Sequence, residues 1–135
     1  MKSVDTNVLA RFFIDDADDP QAARQRPAAV RVMAEPVFVS VTVLLEFEWV
    51  MRGFYVLPRP QIARVLQALA GIGHVTIEDR AAVLSAIDTF NAGLDFADAL
   101  HLARSGHCES FVSFDQRLAR RAHGLMLVPA VERAG

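Results

Sequence analysis

Short β-like runs alternate with helical patterns along the whole chain, and this alternation limits the fold more than any other feature. The β-like runs are the segments 3–4, 37–41, 74–78, 109–114 and 125–128. Helical patterns lie after a turn at Asp5 and over 20–34, 42–54, 58–71, 79–93, 96–106 and 115–124. Strands separated by helices pair in parallel, with helices covering both faces of the sheet. The sequence therefore predicts the α/β class, as a three-layer α/β/α sandwich with a central, mostly parallel sheet.

Two acids directly follow predicted strands. Asp5 comes after the first β-like run, and Asp115 comes after the fourth. Ligands of parallel sheets bind at the carboxyl ends of the strands, so both side chains are expected at one edge of the sheet. Each acid also stands where it can cap the following helix by accepting its free N–H groups. Position alone leaves capping and chemistry equally open.

A third acid lies within the helix predicted over 42–54. At about 100° per residue, Glu48 and Arg52 fall on one side of this helix, four residues apart and able to pair. Glu46 falls within the apolar arc, where a carboxylate needs a cation or a pocket. We therefore interpret Glu48 as an ordinary surface acid and Glu46 as a candidate site residue.

The segment LDFADALHLA (94–103) carries the fourth acid. Asp95 precedes the helix and suits an N-cap, whereas Asp98 stands in the first turn, where the helix dipole favours a negative charge. The helical wheel places Asp98 at the rim of the apolar stripe, turned towards the edge of the sheet. All four acids, Asp5, Glu46, Asp98 and Asp115, are thus expected to converge.

Four converging carboxylates need positive charge to stay ionised together. Lys2 is the only lysine of the chain and is not near any of them in sequence. Hard divalent cations prefer oxygen ligands, which points to Mg²⁺ or to Mn²⁺ in its place. Acids that do not bind the ion directly can orient water around it. Such a site can activate water for in-line displacement at phosphorus.

Composition excludes several other classes of protein. With 135 residues, the chain is predicted to form one domain over 1–135, and a hydrophobic content of 53% argues against disorder. Charged residues interrupt the most apolar region, 37–57, so a membrane span is not expected. The single cysteine, Cys108, cannot form an internal disulfide, which favours a reducing, cytoplasmic setting.

Charge patterning leaves nucleic-acid binding open. The net charge is −2, so the chain as a whole does not attract a polyanion. Arginines nevertheless cluster in two helical segments, Arg24 with Arg26 and Arg31, and Arg117 with Arg120 and Arg121. These clusters are either solvated helix faces or local contacts to a nucleic-acid backbone.

Four segments around the acids resemble the PIN-domain ribonucleases, and specifically the VapC-type toxins of type II toxin–antitoxin modules. The segments are VDTNVL, VSVTVLLEFEWV, GLDFADALHLA and VSFDQRL, which contain the four acids in order and span nearly the full length. The resemblance implies a compact PIN-like fold and a metal-dependent endoribonuclease whose acidic site is Asp5, Glu46, Asp98 and Asp115. It makes Asp5 and Asp98 the expected direct Mg²⁺ ligands.

The resemblance also implies partners and auxiliary residues. The substrate is expected to be RNA, such as tRNA or rRNA, and the protein is expected to form a homodimer inhibited by a cognate antitoxin protein. Asn7 and Ser113 stand where the family places small polar residues near the site, and Ser113 is expected to hold Asp115 or a water on the metal. One departure is Pro27, which is expected to kink or split the second helix.

Other functions remain open at this point. A non-catalytic interaction module with the same fold could use the acids to bind a cation or arginines of a partner. A DNA nuclease is chemically equivalent, whereas an aspartyl-phosphate phosphotransferase is disfavoured because Asn7 stands where a second Asp is wanted.

Residues near the acids have simpler interpretations. His101 is expected to face solvent or Asp98, and Trp49 is expected in the core. Adjacent His107 and Cys108 lack the spacing of a zinc site. Phe54 and Tyr55 suit either base stacking or a protein contact. Four arginines are expected to steer an RNA backbone: Arg11, Arg24, Arg117 and Arg121.

Overall fold

The computed structural model describes residues 1–135, which divide into a first unit, Met1–Arg80, and a second unit, Ala81–Gly135. Strands and helices alternate in the first unit, as predicted. Its elements are β1 (Lys2–Ser3), α1 (Thr6–Phe13), α2 (Pro20–Met33), β2 (Val37–Val39), α3 (Val41–Gly53), α4 (Arg59–Ala70) and β3 (Val75–Ile77).

The three strands of the first unit form a parallel sheet in the order β1–β2–β3. Val37 of β2 is in register with Lys2 of β1 and with Val75 of β3. Alternate side chains of β2 and β3 are buried, because successive residues of a strand point to opposite faces. All three strands end at one edge, and the helices that follow start there.

The second unit repeats the same alternation on a smaller scale. Its elements are α5 (Arg80–Asn91, which starts at the boundary), α6 (Phe96–Ala103), β4 (Ser110–Ser113), α7 (Gln116–Gly124) and β5 (Ala130–Arg133). Strands β4 and β5 pair in parallel, with Ser110 opposite Ala130. Gly93 (φ 116°) lies between α5 and α6 in a backbone conformation that glycine adopts readily. Every strand pair of the protein is therefore parallel, as expected for an α/β chain.

Helix α2 is continuous, which corrects the expectation that Pro27 would split it. Asp19 caps the helix by accepting from the N–H groups of Gln21 and Ala22, at 3.0 and 3.4 Å. Pro20 follows at the first helical position, where its fixed φ and missing N–H are tolerated. The helix is capped before Pro27, and Ala29 and Met33 are buried after it. The cap and this packing together keep the helix continuous through Pro27.

The acids of α3 lie opposite to the prediction. Glu48 is buried at 3% exposure and forms a salt bridge with Arg52, at 2.8 Å between Oε2 and Nε. Glu46 is exposed, and Trp49, expected in the core, is 60% exposed. The pairing of Glu48 with Arg52 is confirmed, but its burial and the exposure of Glu46 contradict the helical wheel. Apolar residues cover so much of this helix that they did not define which part of the arc packs inward.

Two strand predictions also need correction. The run 125–128 is not a strand, because Leu125 caps α7 and Met126 has a φ of 53°, outside the extended region. The partner of β4 is instead β5, which starts two residues later. The run 109–114 has the apolar content typical of a buried strand, but Val112 of β4 is 58% exposed. An apolar run in this chain is therefore not always extended, and an extended run is not always buried.

No helix of the chain is both long and apolar enough to cross a membrane. The assignment of 1–135 to a single domain stays a prediction.

The buried acid of α3 generates a test of stability. Substituting Glu48→Ala is expected to lower the free energy of unfolding by about 2 kcal/mol, because it opens a cavity and removes the carboxylate that Arg52 binds. Urea denaturation measures the change. The exposed acid Glu35 provides the matched control, since Glu35→Ala should leave the midpoint close to that of the wild type. Equal midpoints for the two variants would contradict the burial of Glu48.

Candidate active site

Asp5 lies at the carboxyl edge of the first unit's sheet and caps α1. Its Oδ1 accepts from the backbone N–H of Val8 at 3.1 Å. The side chain is exposed, and its other oxygen has no ion pair or hydrogen bond within the first unit. Capping therefore occupies one oxygen of the carboxylate and orients the other towards solvent.

Glu46 is hydrogen-bonded to Thr6, the residue that follows Asp5 in the chain. The hydroxyl of Thr6 donates to Oε1 of Glu46, and Thr6 itself is buried at 4% exposure. Because Thr6 directly follows Asp5, this bond brings the second turn of α3 to the start of α1. No cation of the first unit forms an ion pair with either acid. The first unit thus places the carboxylate of Glu46 beside the residue that follows Asp5.

Asp95 is the N-cap of α6 and Asp98 lies in its first turn, as the sequence predicted. Asp95 caps the helix, accepting from the N–H of Asp98 at 3.2 Å through Oδ2. Asp98 is partly buried in the first turn. Burial raises the pKa of the Asp98 carboxyl above its ordinary value. The negative charges of Asp95 and Asp115 also raise this pKa, whereas the charge of His101 lowers it.

Asp115 caps α7 and is held from three sides. Its Oδ1 accepts from the N–H groups of Arg117 and Leu118, at 3.0 and 3.1 Å. Its own N–H donates to Oγ of Ser113 at 3.0 Å, so Ser113 holds Asp115, one of the two roles expected for it. Since the charge of Asp115 acts on the carboxyl of Asp98, the second unit also brings its two predicted site residues within electrostatic reach.

The donor chemistry of these pairs fits a hard divalent cation. Within neither unit do three or more Asp, Glu, His or Cys side chains form a group that could hold a metal ion. Mg²⁺, however, keeps several waters and usually takes only one or two carboxylates directly. A pair of uncompensated carboxylates in one unit is therefore a sufficient minimum. That all four acids serve one ion remains a prediction.

The histidines and the cysteine are peripheral to these pairs. His101 is exposed and its ring stacks on Phe111, with centroids 6.1 Å apart and an angle of 12°. Its effect on the pKa of Asp98 places it near that acid, as expected. His107 and Cys108 are exposed, and neither belongs to a metal-binding group.

Arginines expected to steer RNA have different surroundings. Arg24 and Arg117 are exposed. Arg121 is also exposed, and its Nη1 donates to the carbonyl of Gly93. Arg11 is partly buried and is bound by two side chains of its own unit.

Glu78 is a residue that the sequence reasoning missed. It directly follows β3, and its Oε1 accepts from the N–H of Val41 at 2.8 Å, next to Ser40, which caps the same helix. The rule that selected Asp5 and Asp115, an acid at a strand end, also selects Glu78. The predicted strand 74–78 includes Glu78, so the sequence does not mark it as an acid that follows a strand.

The electrostatic pairing in the second unit can be tested by titration. Substituting Asp115→Asn is expected to lower the pKa of Asp98, because it removes a negative charge that disfavours ionisation. A carboxyl ¹³C NMR titration in EDTA measures the shift. Asp88→Asn, which removes an exposed acid from α5, should leave that pKa unchanged. If both variants left it unchanged, Asp98 and Asp115 would not interact.

Comparison with known proteins identifies the family. The PIN domain family matches residues 3–124, which include all four acids and the helices from α1 to α7. No curated protein and no solved structure matches the chain significantly. PIN domains are generally nucleases, so the match supports a nuclease-like hydrolase at this coarse level, and it confirms the predicted PIN-like α/β/α fold class. The chain belongs to the PIN-domain family.

Proposed function

We propose that this protein is a metal-dependent endoribonuclease that hydrolyses RNA phosphodiester bonds. One observation carries the proposal: each unit holds a pair of predicted site acids with no arginine or lysine of that unit paired to them. Carboxylates that no protein cation neutralises need another positive charge, and a divalent metal ion with oxygen ligands supplies it. Membership of a family of nucleases makes phosphodiester hydrolysis the matching chemistry.

Mg²⁺ is the proposed cofactor, with Mn²⁺ as a substitute. Asp5 and Asp98 would bind it directly, and Glu46 and Asp115 would bind through water or a second ion. When bound, the ion supplies a Lewis acid for the phosphate and a lowered pKa for water. Asp98 has most to gain from the ion, because partial burial and the charges of Asp95 and Asp115 raise the pKa of its carboxyl.

The residues of the chain orient the acids for this reaction. The N–H groups at the starts of α1 and α7 fix one oxygen each of Asp5 and Asp115, and Thr6 fixes one oxygen of Glu46. Water then adds to phosphorus in line with the leaving group, and the bond from phosphorus to the 3′-oxygen breaks. The proton of the water is passed to the leaving oxygen, so the products carry a 5′-phosphate and a 3′-hydroxyl.

The biological role we propose is that of the toxin in a type II toxin–antitoxin module. The resemblance to VapC-type toxins supports this role, and so do large apolar side chains exposed in both units, since such side chains often mark protein contacts. They include Trp49, Phe54 and Val56 in the first unit, and Phe114, Met126 and Val128 in the second. The partners would be a second copy of the chain, a cognate antitoxin protein and an RNA substrate such as tRNA or rRNA. A cytoplasmic location fits the exposed, unpaired Cys108.

A second function has an observation in its favour. Asp5, Asp95 and Asp115 all cap helices, so each has a structural reason to be present without catalysis. A non-catalytic PIN-fold module that binds RNA or protein would keep these caps and would not need a metal.

Two acids one helical turn apart separate these functions. Substituting Asp98→Asn is expected to reduce Mg²⁺-dependent RNA cleavage by more than about 100-fold, since loss of outer-shell groups alone costs about 10- to 100-fold. Asp95→Asn is the matched control, because asparagine caps helices as well as aspartate and cleavage should persist. Circular dichroism should show both variants folded. Absence of Mg²⁺-dependent cleavage by the wild type would argue for the non-catalytic module, and equal cleavage by the two variants would contradict the role of Asp98.

The chemistry of the cleaved ends provides an independent test. The 5′ ends of products should accept a radioactive phosphate from polynucleotide kinase only after phosphatase treatment, because water attack leaves the phosphate on the 5′ side. EDTA should stop cleavage, and added Mg²⁺ or Mn²⁺ should restore it. Products with a 2′,3′-cyclic phosphate, or cleavage that persists in EDTA, would contradict the mechanism.

A further inference from the structure

A cavity of about 330 Å³ lies between α1 and α2 in the first unit. Its lining includes Asp5, Arg11, Gln25, Ala28 and Ala29. One end of the cavity is therefore the candidate site acid Asp5, and its wall carries a guanidinium. The small side chains of Ala28 and Ala29 leave room on the α2 side.

Arg11 is held in this cavity by two neutral groups. Its Nε donates to Oε1 of Gln25 at 2.9 Å, and its Nη1 donates to the hydroxyl of Tyr55 at 3.0 Å. A guanidinium has five N–H groups, so these bonds leave three of them, including both on Nη2. The side chain is partly buried and fixed at two points. It is therefore already ordered before a ligand binds, and binding costs less conformational entropy.

The charge of Arg11 is not compensated by an acid of its unit. Its neighbour Arg26 forms an ion pair with Asp15 at 3.9 Å and also donates to the carbonyl of Arg11. Arg52, on α3, pairs with Glu48. Arg11 forms no such pair. A fixed guanidinium with free N–H groups and no carboxylate is suited to bind a phosphate.

The position of Arg11 relates this phosphate to the proposed cleavage site. Asp5 caps α1 and Arg11 lies six residues further, so their backbones are separated by about 9 Å along the helix axis. That separation suits a phosphate neighbouring the one that is cleaved. The cavity joins the two positions, so a strand in it would meet both residues.

We propose that Arg11 binds a backbone phosphate of the RNA next to the scissile one, and that Gln25 and Tyr55 are positioning residues that hold its guanidinium. This inference rests on the proposed endoribonuclease function. Because the contact is to the backbone, it contributes to binding and register and not to the reading of base sequence.

Cleavage kinetics distinguish a binding role from a structural one. Arg11→Ala is expected to raise KM about 10-fold with kcat little changed, since hydrogen bonds to charged groups are worth about that factor. Arg11→Lys should lie between wild type and Arg11→Ala. Tyr55→Phe removes only one positioning bond and should raise KM by less. Arg64→Ala, which removes an exposed arginine of α4 outside the cavity, is the matched control.

A binding experiment separates this proposal from the proposed catalysis. Fluorescence anisotropy of a short fluorescein-labelled oligouridylate with Mg²⁺ is measured in an Asp98→Asn background. Adding Arg11→Ala should weaken binding and reduce the slope of log K against log salt by about 0.7, the value for one phosphate of a single strand. This result would support the role of Arg11 even if the wild type proved not to cleave RNA. Unchanged affinity, an equal loss in Arg64→Ala, or no binding by any variant would overturn it.

Discussion

The first N–H groups of every helix need acceptors, and this need determines the composition of the sheet edge. Helices of a parallel α/β protein begin where strands end, so their unsatisfied donors gather on one side. In this chain Asp5 and Ser40 supply oxygens at the starts of α1 and α3, and Glu78 supplies another from the end of β3. Asp115 does the same after β4 in the second unit. Asp95 also caps a helix, α6, but that helix follows another helix and not a strand. The fold therefore requires oxygen-bearing side chains at the positions where such proteins bind ligands.

Capping and chemistry are compatible because a carboxylate has two oxygens. In Asp5 and Asp115 the hydrogen bonds from the helix start go to Oδ1. The helix fixes the direction of the second oxygen without occupying it. Asp98 differs, since it caps nothing and instead carries the cost of partial burial beside two negative neighbours. It is the acid for which the fold alone offers the weakest reason.

The sequence predicted the parts of this structure that depend on local order. Acids after strands and a cap before an apolar helix are recognisable because one residue and its neighbours define them, as with Asp5, Asp95 and Asp115. The buried face of α3 was not predictable in this way. Eight of its 13 residues are apolar and they lie on most sides of the helix. Only packing against other elements therefore decides that Glu48 is buried and Trp49 exposed.

Contacts between distant segments were the second limit. The sequence marked Arg11 as one of several arginines, but nothing in it shows that Gln25 of α2 and Tyr55, in the loop after α3, hold the guanidinium. Nor does it show that Thr6 is bonded to Glu46. The exposed run 125–128 has the composition of a strand. Its backbone nevertheless turns at Met126, which composition alone does not indicate.

Two of the capping aspartates have a consequence for how proteins of this kind can diverge. The helix starts at Asp5 and Asp115 ask for an oxygen acceptor and not for a negative charge, and asparagine meets that demand equally well. Asparagine at either position would remove the negative charge and keep the helix cap. Duplicated genes could therefore drift from nuclease to inert binding scaffold along a path with almost no stability barrier.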